Sequence, residues 1–583
     1  MTNRLAFLTM LVFGISVFCL ASAETPAQIG KRVGEFQLPD TEGKTVSLSH
    51  FKDKKAIVVV FTGTECPINN LYMPVLANLH KEFSTKGVQF LAINSNLQDT
   101  MAKIKEHAKA IEVPFPVLKD KNNMVADHFG AQRTPEVYLL DATRTIRYQG
   151  RIDDQFGVGY KRGKPTRRDL AEAVNQILAG QAVTRATTPV AGCLIARIKD
   201  SKAEGTVTYT KQIAPLVQKH CQECHRPSQI GPMPLLTYDD VSAWSGTIRE
   251  VIEERRMPPW HADPQYGRFA NDRSLTDAER NLLLSWLDSG TPKGDDKDLP
   301  APREFAPGWR ISKPDVVFHM RQEYEVQADM PKYGVPYRYF TVETGFKEDK
   351  WVAQAEAVAG AKEVVHHVIV FVAPPDQQFF PGNPFTPALT GTAPGDMPLL
   401  LPTGTAKKIP AGSKLVFQMH YTPNGKVQKD RSAVGIVFAR GEPEHRVYTE
   451  PIAFPPSVQI PAGDDNYKVE ADWRFRENGH IISFMPHMHL RGKDFLYEAV
   501  YPDGKKEILL SVPRYNFNWQ SIYRLEKPKP VPKGTKIQCL AHFDNSAKNL
   551  NNPDPTKKVF WGDQTWEEMM IGWMDYYYDR STK

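Results

Sequence analysis

The folded part of the chain opens with unbroken apolar runs rather than alternation. Residues 55–61 (KAIVVVF) and 88–93 (VQFLAI) read as buried strands, and between them residues 71–83 repeat apolar side chains at helical spacing. Further strands are expected at 137–140 and 145–148, with a closing helix at 170–178. This alternation predicts an α/β domain over 30–195, a central sheet flanked by helices. Residues 181–205 are loop-like. The pattern then turns helical, with helices expected at 213–220, 238–254 and 276–288, making an all-α segment over 206–297. A linker rich in Pro, Gly and Asp, 290–314, precedes a long run of short strands and turns. That length suits an all-β pair of stacked sandwiches, 315–450 and 451–583.

The 583 residues exceed what one hydrophobic core serves, in keeping with several domains. The composition, 41% hydrophobic and 24% charged, is that of a folding chain. The net charge of +6 comes from 73 basic and 67 acidic residues that are intermixed. There is no basic stripe interleaved with aromatics, which argues against a nucleic-acid partner. At the N-terminus Arg4 precedes an uncharged run from Leu5 to Ala21, and Ala21-Ser22-Ala23 is a small-residue cleavage pattern. Residues 1–23 therefore read as a signal peptide, with an uncleaved anchor as the alternative. After cleavage no segment remains long and apolar enough to span a bilayer, so the mature chain is expected in the periplasm or outside the cell. Of six cysteines Cys19 would leave with the signal. Cys66, Cys193, Cys221, Cys224 and Cys539 are too few for a disulfide-stapled scaffold.

Cys221-Gln222-Glu223-Cys224-His225 carries specific chemistry. Two thiols three positions apart can each bond one haem vinyl group while the following histidine reaches the iron. A zinc site would want a second Cys or His pair, and no second cysteine pair follows. Met257, in Arg256-Met257-Pro258-Pro259-Trp260, is the candidate sixth ligand, with Met233 and His261 as competitors. Over 206–297 the chain resembles class I-like cytochrome c domains, which implies one covalent haem.

The β-rich region holds His366-His367, then His420 before Tyr421, then His487-Met488-His489. A His-x-His pair puts both imidazoles on one strand face, whereas adjacent histidines share a metal only at a bulge or strand end. Residues 315–580 resemble the copper type II ascorbate-dependent monooxygenases, similar to the peptidylglycine alpha-hydroxylating and dopamine beta-monooxygenases. The resemblance implies jelly-roll-like sandwiches and two copper ions. His366, His367 and His420 would hold the electron-supplying copper. His487, His489 and Met569, the last in Glu567-Glu568-Met569, would hold the copper that meets oxygen. A soft thioether at the second copper favours Cu(I). The chain departs from the peptide-hydroxylating members at Met485, where they carry an arginine for a substrate carboxylate, and at Trp573, where they carry a tyrosine. His542 and Asp544 are expected near the second site.

Residues 30–195 resemble the thioredoxin-like and peroxiredoxin-like redoxins, on Cys66-Pro67 at a strand-to-helix turn and on Thr134-Pro135 before a strand. The resemblance implies a cis proline facing the cysteine. A helix N-terminus makes a cysteine reactive. Asn69 stands where a dithiol motif would have its second cysteine, and Gly63 where the peroxiredoxin threonine would be. Cys193 is the candidate redox partner of Cys66; a static disulfide or two unrelated thiols are the alternatives.

Three functions follow. One is a monooxygenase taking oxygen and a small organic substrate, with an electron donor feeding copper through haem. The second is a copper-handling or redox-sensing protein without catalysis. The third is an electron-transfer module in which the β-region is a scaffold.

Overall fold

The computed structural model describes residues 28–579 except 198–205, 228, 306–307, 329–330, 332–333, 384, 394–397 and 454–458. The expected signal sequence, 1–23, lies outside the described residues. Among the described residues no helix is long and apolar enough to cross a membrane.

The N-terminal unit is an α/β domain whose five-stranded sheet runs Val117–Lys119, Val88–Asn94, Ala56–Thr62, Glu136–Asp141, Ile146–Gly150. Ala56–Thr62 is buried at all seven positions because it is the central strand, covered on both faces. Its side chains divide by parity. Ala56, Val58 and Val60 pack with Tyr72 and Leu76 of helix Pro67–Phe83, while Ile57, Val59 and Phe61 pack with Leu91, Phe129 and Tyr138. A late two-residue strand, Cys193–Leu194, returns to this domain and pairs antiparallel with Arg133–Thr134.

The middle region is helical, as its pattern predicts, with one division. The expected helix over 238–254 is two, Tyr238–Ala243 and Ser245–Glu253. The chain bends at Trp244, whose 4%-exposed ring joins the core with Ile213, Val217 and Trp286. Thr237 with Asp240 and Thr276 with Glu279 form capping boxes that satisfy orphan amides at two helix starts. Before the last helix, Asp277–Asp288, residues 260–271 leave the helical unit and enter the C-terminal core. Trp260 and Phe269 lie 4.9 and 5.6 Å from the Tyr523 ring. The amides of Asp263 and Ala270 donate to the carbonyls of Ser511 and Arg524, both at 2.8 Å.

The C-terminal region is β-rich, as expected. One sheet crosses it in the order Val316–His319, Ala433–Phe438, Lys350–Val358, Thr405–Ile409, His445–Ala453, Met570–Tyr578, Gly479–Met488, Tyr523–Val531. Strand His445–Ala453 runs across the expected division at residue 450, and its parallel pairing with Thr405–Ala406 joins the two halves. A four-stranded sheet covers the first half: Arg338–Glu343, Lys414–Tyr421, Val365–Ala373, Ala388–Thr392. Another covers the second: Tyr467–Arg474, Lys536–Phe543, Gly492–Val500, Lys506–Val512. Each half encloses its own apolar core.

Candidate metal and redox sites

Strand parity aims the first histidines. In Lys414–Tyr421, Leu415, Phe417, Met419 and Tyr421 fill the first core, so His420 faces the other way. In Val365–Ala373, Val368, Val370 and Val372 enter the same core and His367 projects opposite. The register shifts between Val365 and His367, the bulge that two adjacent ligands require. The rings of His366 and His367 then lie 4.8 and 5.0 Å from that of His420. One nitrogen from each of the three falls within 4.8 Å of the others, a cluster that can hold one metal ion. His366 Nε2 and both nitrogens of His367 are buried without a hydrogen-bond partner. Unsatisfied buried nitrogens are costly unless an ion takes them. Burial pushes His366 down to about 4 and, with neighbouring imidazoles adding to it, holds His367 and His420 well below the ordinary range. All three are neutral at neutral pH, the form that binds metal.

The second set follows the same rule. Phe484 and Met488 of Gly479–Met488 enter the second core, leaving Met485 and His487 on the opposite face, with His489 just beyond the strand. The two imidazoles lie 5.2 Å apart. His487 Nδ1 meets Gln520 Oε1 at 2.7 Å and His489 Nδ1 meets the Glu567 carbonyl at 3.2 Å. Such bonds set the tautomer and present each Nε2. His489 Nε2 is buried and unpartnered. Met569 is 5% exposed and immediately precedes Met570, which pairs with Met488; continuing that register by one brings it beside His489. The buried Glu568 carboxylate accepts from the amides of His489 and Arg491 at 2.9 and 2.7 Å and braces the turn.

Two side chains with no signal in the sequence stand between the sets. The Tyr337 ring is 5.2 Å from His367, 5.1 Å from His420 and 6.4 Å from His489. Phe517 stacks on His366 at 5.2 Å and lies 6.1 Å from His489. Four of the five histidines thus meet one aromatic wall, and His487 joins it through His489. Of the residues expected near the second set, His542 is bonded to Asp494 at 2.8 Å, and the Asp544 amide donates to the carbonyl of Arg491, two residues past His489, at 2.8 Å. Met485 and Trp573 stand opposite each other across neighbouring strands.

In the helical region, helix Ala214–His220 ends at Cys221, whose carbonyl accepts from the amides of Cys224 and His225 at 3.2 and 3.0 Å. His225 Nδ1 is held by the Met233 carbonyl at 3.1 Å, leaving Nε2 for another partner. Met233 thus meets His225 through its backbone. A Cβ at Gly231 would stand 2.6 Å from the Cys224 carbonyl and 2.8 Å from His225 Nδ1, so glycine lets the loop close over the motif. Burial pushes the Cys221 thiol up to about 12 and raises that of Cys224. His261 Nε2 is buried without a partner. Met257 follows helix Ser245–Glu253, its amide donating to the Val251 carbonyl at 3.1 Å.

In the α/β domain Cys66 caps helix Pro67–Phe83, and the Thr134–Pro135 peptide facing it is cis. The Cys66 thiol donates to the Thr134 carbonyl at 2.9 Å, and Cys193 pairs with Thr134 on the late strand. The Cys193 amide approaches Cys66 Sγ at 3.5 Å. Burial works to raise Cys66, but hydrogen bonds from the Cys193 thiol and from the amides of Asn69 and Cys193 bring it down to about 6. Cys193 is held up by its bond to Cys66 and by burial. The strand carrying Cys193 is also pinned to the helical region. The Leu194 amide donates to Thr247 Oγ1 at 3.2 Å, and Arg133 pairs with Glu250 at 2.7 Å. The reduced protein should show thiolate absorbance rising with a midpoint near pH 6, lost in Cys66→Ser and moved upward in Cys193→Ala. Mild oxidation should yield a Cys66–Cys193 crosslinked peptide by mass spectrometry. A midpoint that ignores residue 193, with no crosslink, makes the two thiols unrelated.

Comparison with known proteins agrees with this division of the chain. Residues 448–583 match the family described as copper type II ascorbate-dependent monooxygenase, C-terminal domain, and residues 29–149 match the AhpC/TSA family. The chain is therefore a copper type II monooxygenase-like oxidoreductase with a thioredoxin/peroxiredoxin-like domain at its N-terminal end. The N-terminal part is similar to the thiol-disulfide oxidoreductase ResA of Bacillus cereus, 28% identical over 30% of this chain and 97% of that protein. The corresponding protein of Bacillus subtilis is 30% identical over 19% of this chain and 61% of its own length. A hypothetical protein of Sinorhizobium meliloti, of known structure, is 34% identical over 30% of this chain and 96% of its own, with a TM-score of 0.28.

Proposed function

We propose that this chain is an exported copper-dependent hydroxylase of a small organic molecule, supplied with electrons through a covalent haem in its helical region. The observation that carries the reading is the pairing of two buried sets of neutral, partly unpartnered imidazoles across one aromatic wall. Copper held there supplies one-electron redox chemistry and oxygen activation. His366, His367 and His420 would hold one ion and His487, His489 and Met569 the other. Gln520 and the Glu567 carbonyl fix the tautomers of the second pair, and Tyr337 and Phe517 set aromatic rings against both sets.

The helical region fits a c-type haem. The Cys221 and Cys224 thiols would form its two thioether links, His225 would present Nε2 to the iron, and Met257 would be the sixth ligand. The carbonyl of Met233 orients His225, as a metal-binding histidine requires. Insertion of Trp260 and Phe269 into the second sandwich ties this region to the copper-binding one.

The test is metal content together with oxygen uptake. The holoprotein should carry two copper ions and one haem per chain and consume oxygen when ascorbate is supplied. Tight copper binding without oxygen consumption would make it a copper-handling protein, and haem without copper an electron carrier.

A further inference from the structure

Next to the histidines, the same two sheet faces line a partly open cavity of about 80 Å³. Ile369 lies two residues beyond His367 and Met485 two before His487, so each projects from the face that carries the neighbouring imidazole. Trp573, opposite Met485, joins Leu389, Leu399 and Ile522 in making the walls apolar.

The lining holds two charges, and they are spent on each other. Lys407, 8% exposed, pairs with Asp575 at 3.1 Å. Its ammonium also faces the carbonyls of Ala388 and Leu389 at 3.3 and 3.4 Å. Asp575 accepts from Thr449 Oγ1 at 2.6 Å and from Ser483 Oγ at 3.2 Å. The ammonium's three donors and both carboxylate oxygens therefore have partners. An ion entering the cavity would lose its water and find no free counter-charge. The volume is smaller than the ~150 Å³ of an apolar cavity that accepts benzene, which favours an alkyl group over a ring.

We propose that this cavity receives the reacting end of the substrate, and that it takes an uncharged alkyl group of a few carbon atoms while excluding carboxylates and ammonium ions. The assignment to substrate rests on the copper reading above; the binding preference is independent of it. Protein labelled with carbon-13 at the methionine methyls, without copper, is titrated with 1-butanol, butyrate or butylamine. The alcohol should shift the Met485 methyl resonance and saturate, with the methionines of the two cores unmoved, and the two ions should not. Met485→Arg should reverse the preference toward butyrate, read from saturation transfer to the ligand, its unchanged remaining methyls reporting that it folds. Ile522→Phe, which fills the space without adding charge, should abolish the alcohol shift. Equal binding of ions and alcohol, or no saturable shift, overturns the proposal. Copper titration of the same sample separates the two readings. Alcohol binding without copper loading leaves the cavity preference standing while the copper reading falls, and copper loading without alcohol binding does the opposite.

Discussion

Replacing His420 with alanine should halve the copper content, and replacing Met569 should leave more copper than that but stop turnover. His420 is one of three nitrogens clustered within 4.8 Å, and its loss leaves the adjacent His366 and His367 alone on their bulge. The His487–His489 set keeps its own supports from Gln520 and the Glu567 carbonyl, so it should still load. Met569→Ala removes a weak thioether from that second set while both imidazoles remain. Copper there should weaken and lose its preference for the reduced ion, and oxygen-dependent turnover should fall below detection while the first set fills normally. A milder probe is Gln520→Ala, which frees the His487 ring to rotate and should weaken the second copper about 10- to 100-fold. The measurement is copper per chain, with paramagnetic resonance to count Cu(II), for each variant beside the parent. The shared wall of Tyr337 and Phe517 makes some cross-talk in the spectra expected. If His420→Ala and Met569→Ala each empty every copper position, the five histidines form one cluster and the two-site assignment is wrong.

Haem should stay with the protein through acid-acetone extraction. Two thioether bonds from Cys221 and Cys224 would survive conditions that release a ligated but unlinked haem. Cys221→Ala combined with Cys224→Ala should send all the haem colour into the solvent. Met257→Ala should lower the reduction potential or open the sixth position to added ligands. Unchanged spectra in that variant would pass the role to His261, whose Nε2 is buried without a partner, or to the Met233 side chain. Colour lost from the unmodified protein on extraction would remove the covalent assignment of Cys221 and Cys224.

Much of the architecture was legible in the residue pattern because burial imposes local rules. The apolar run at 56–61 is continuous since the central strand is covered on both faces, and the change to helical spacing after residue 206 marks a real change of architecture. The His-x-His pair and the Cys-x-x-Cys-His segment could be picked out as candidates because each is a spacing of a few residues. The adjacent His366 and His367 even required a bulge, and the register shift lies there.

Contacts between distant segments were not legible, because side-chain period says which face a residue takes but not what that face meets. Nothing local marks Tyr337 or Phe517 as the wall between two histidine sets, or sends Trp260 and Phe269 into another region's core. The division placed at 450 fell inside a strand, since a parallel pairing with Thr405–Ala406 carries one sheet through both halves. The cavity beside the histidines is lined by residues far apart in the chain, among them the paired Lys407 and Asp575, brought together only where the sheet faces meet. Cys66 and Cys193 could be named as candidates from the sequence. Only the return of a two-residue strand to Thr134 decided that they touch.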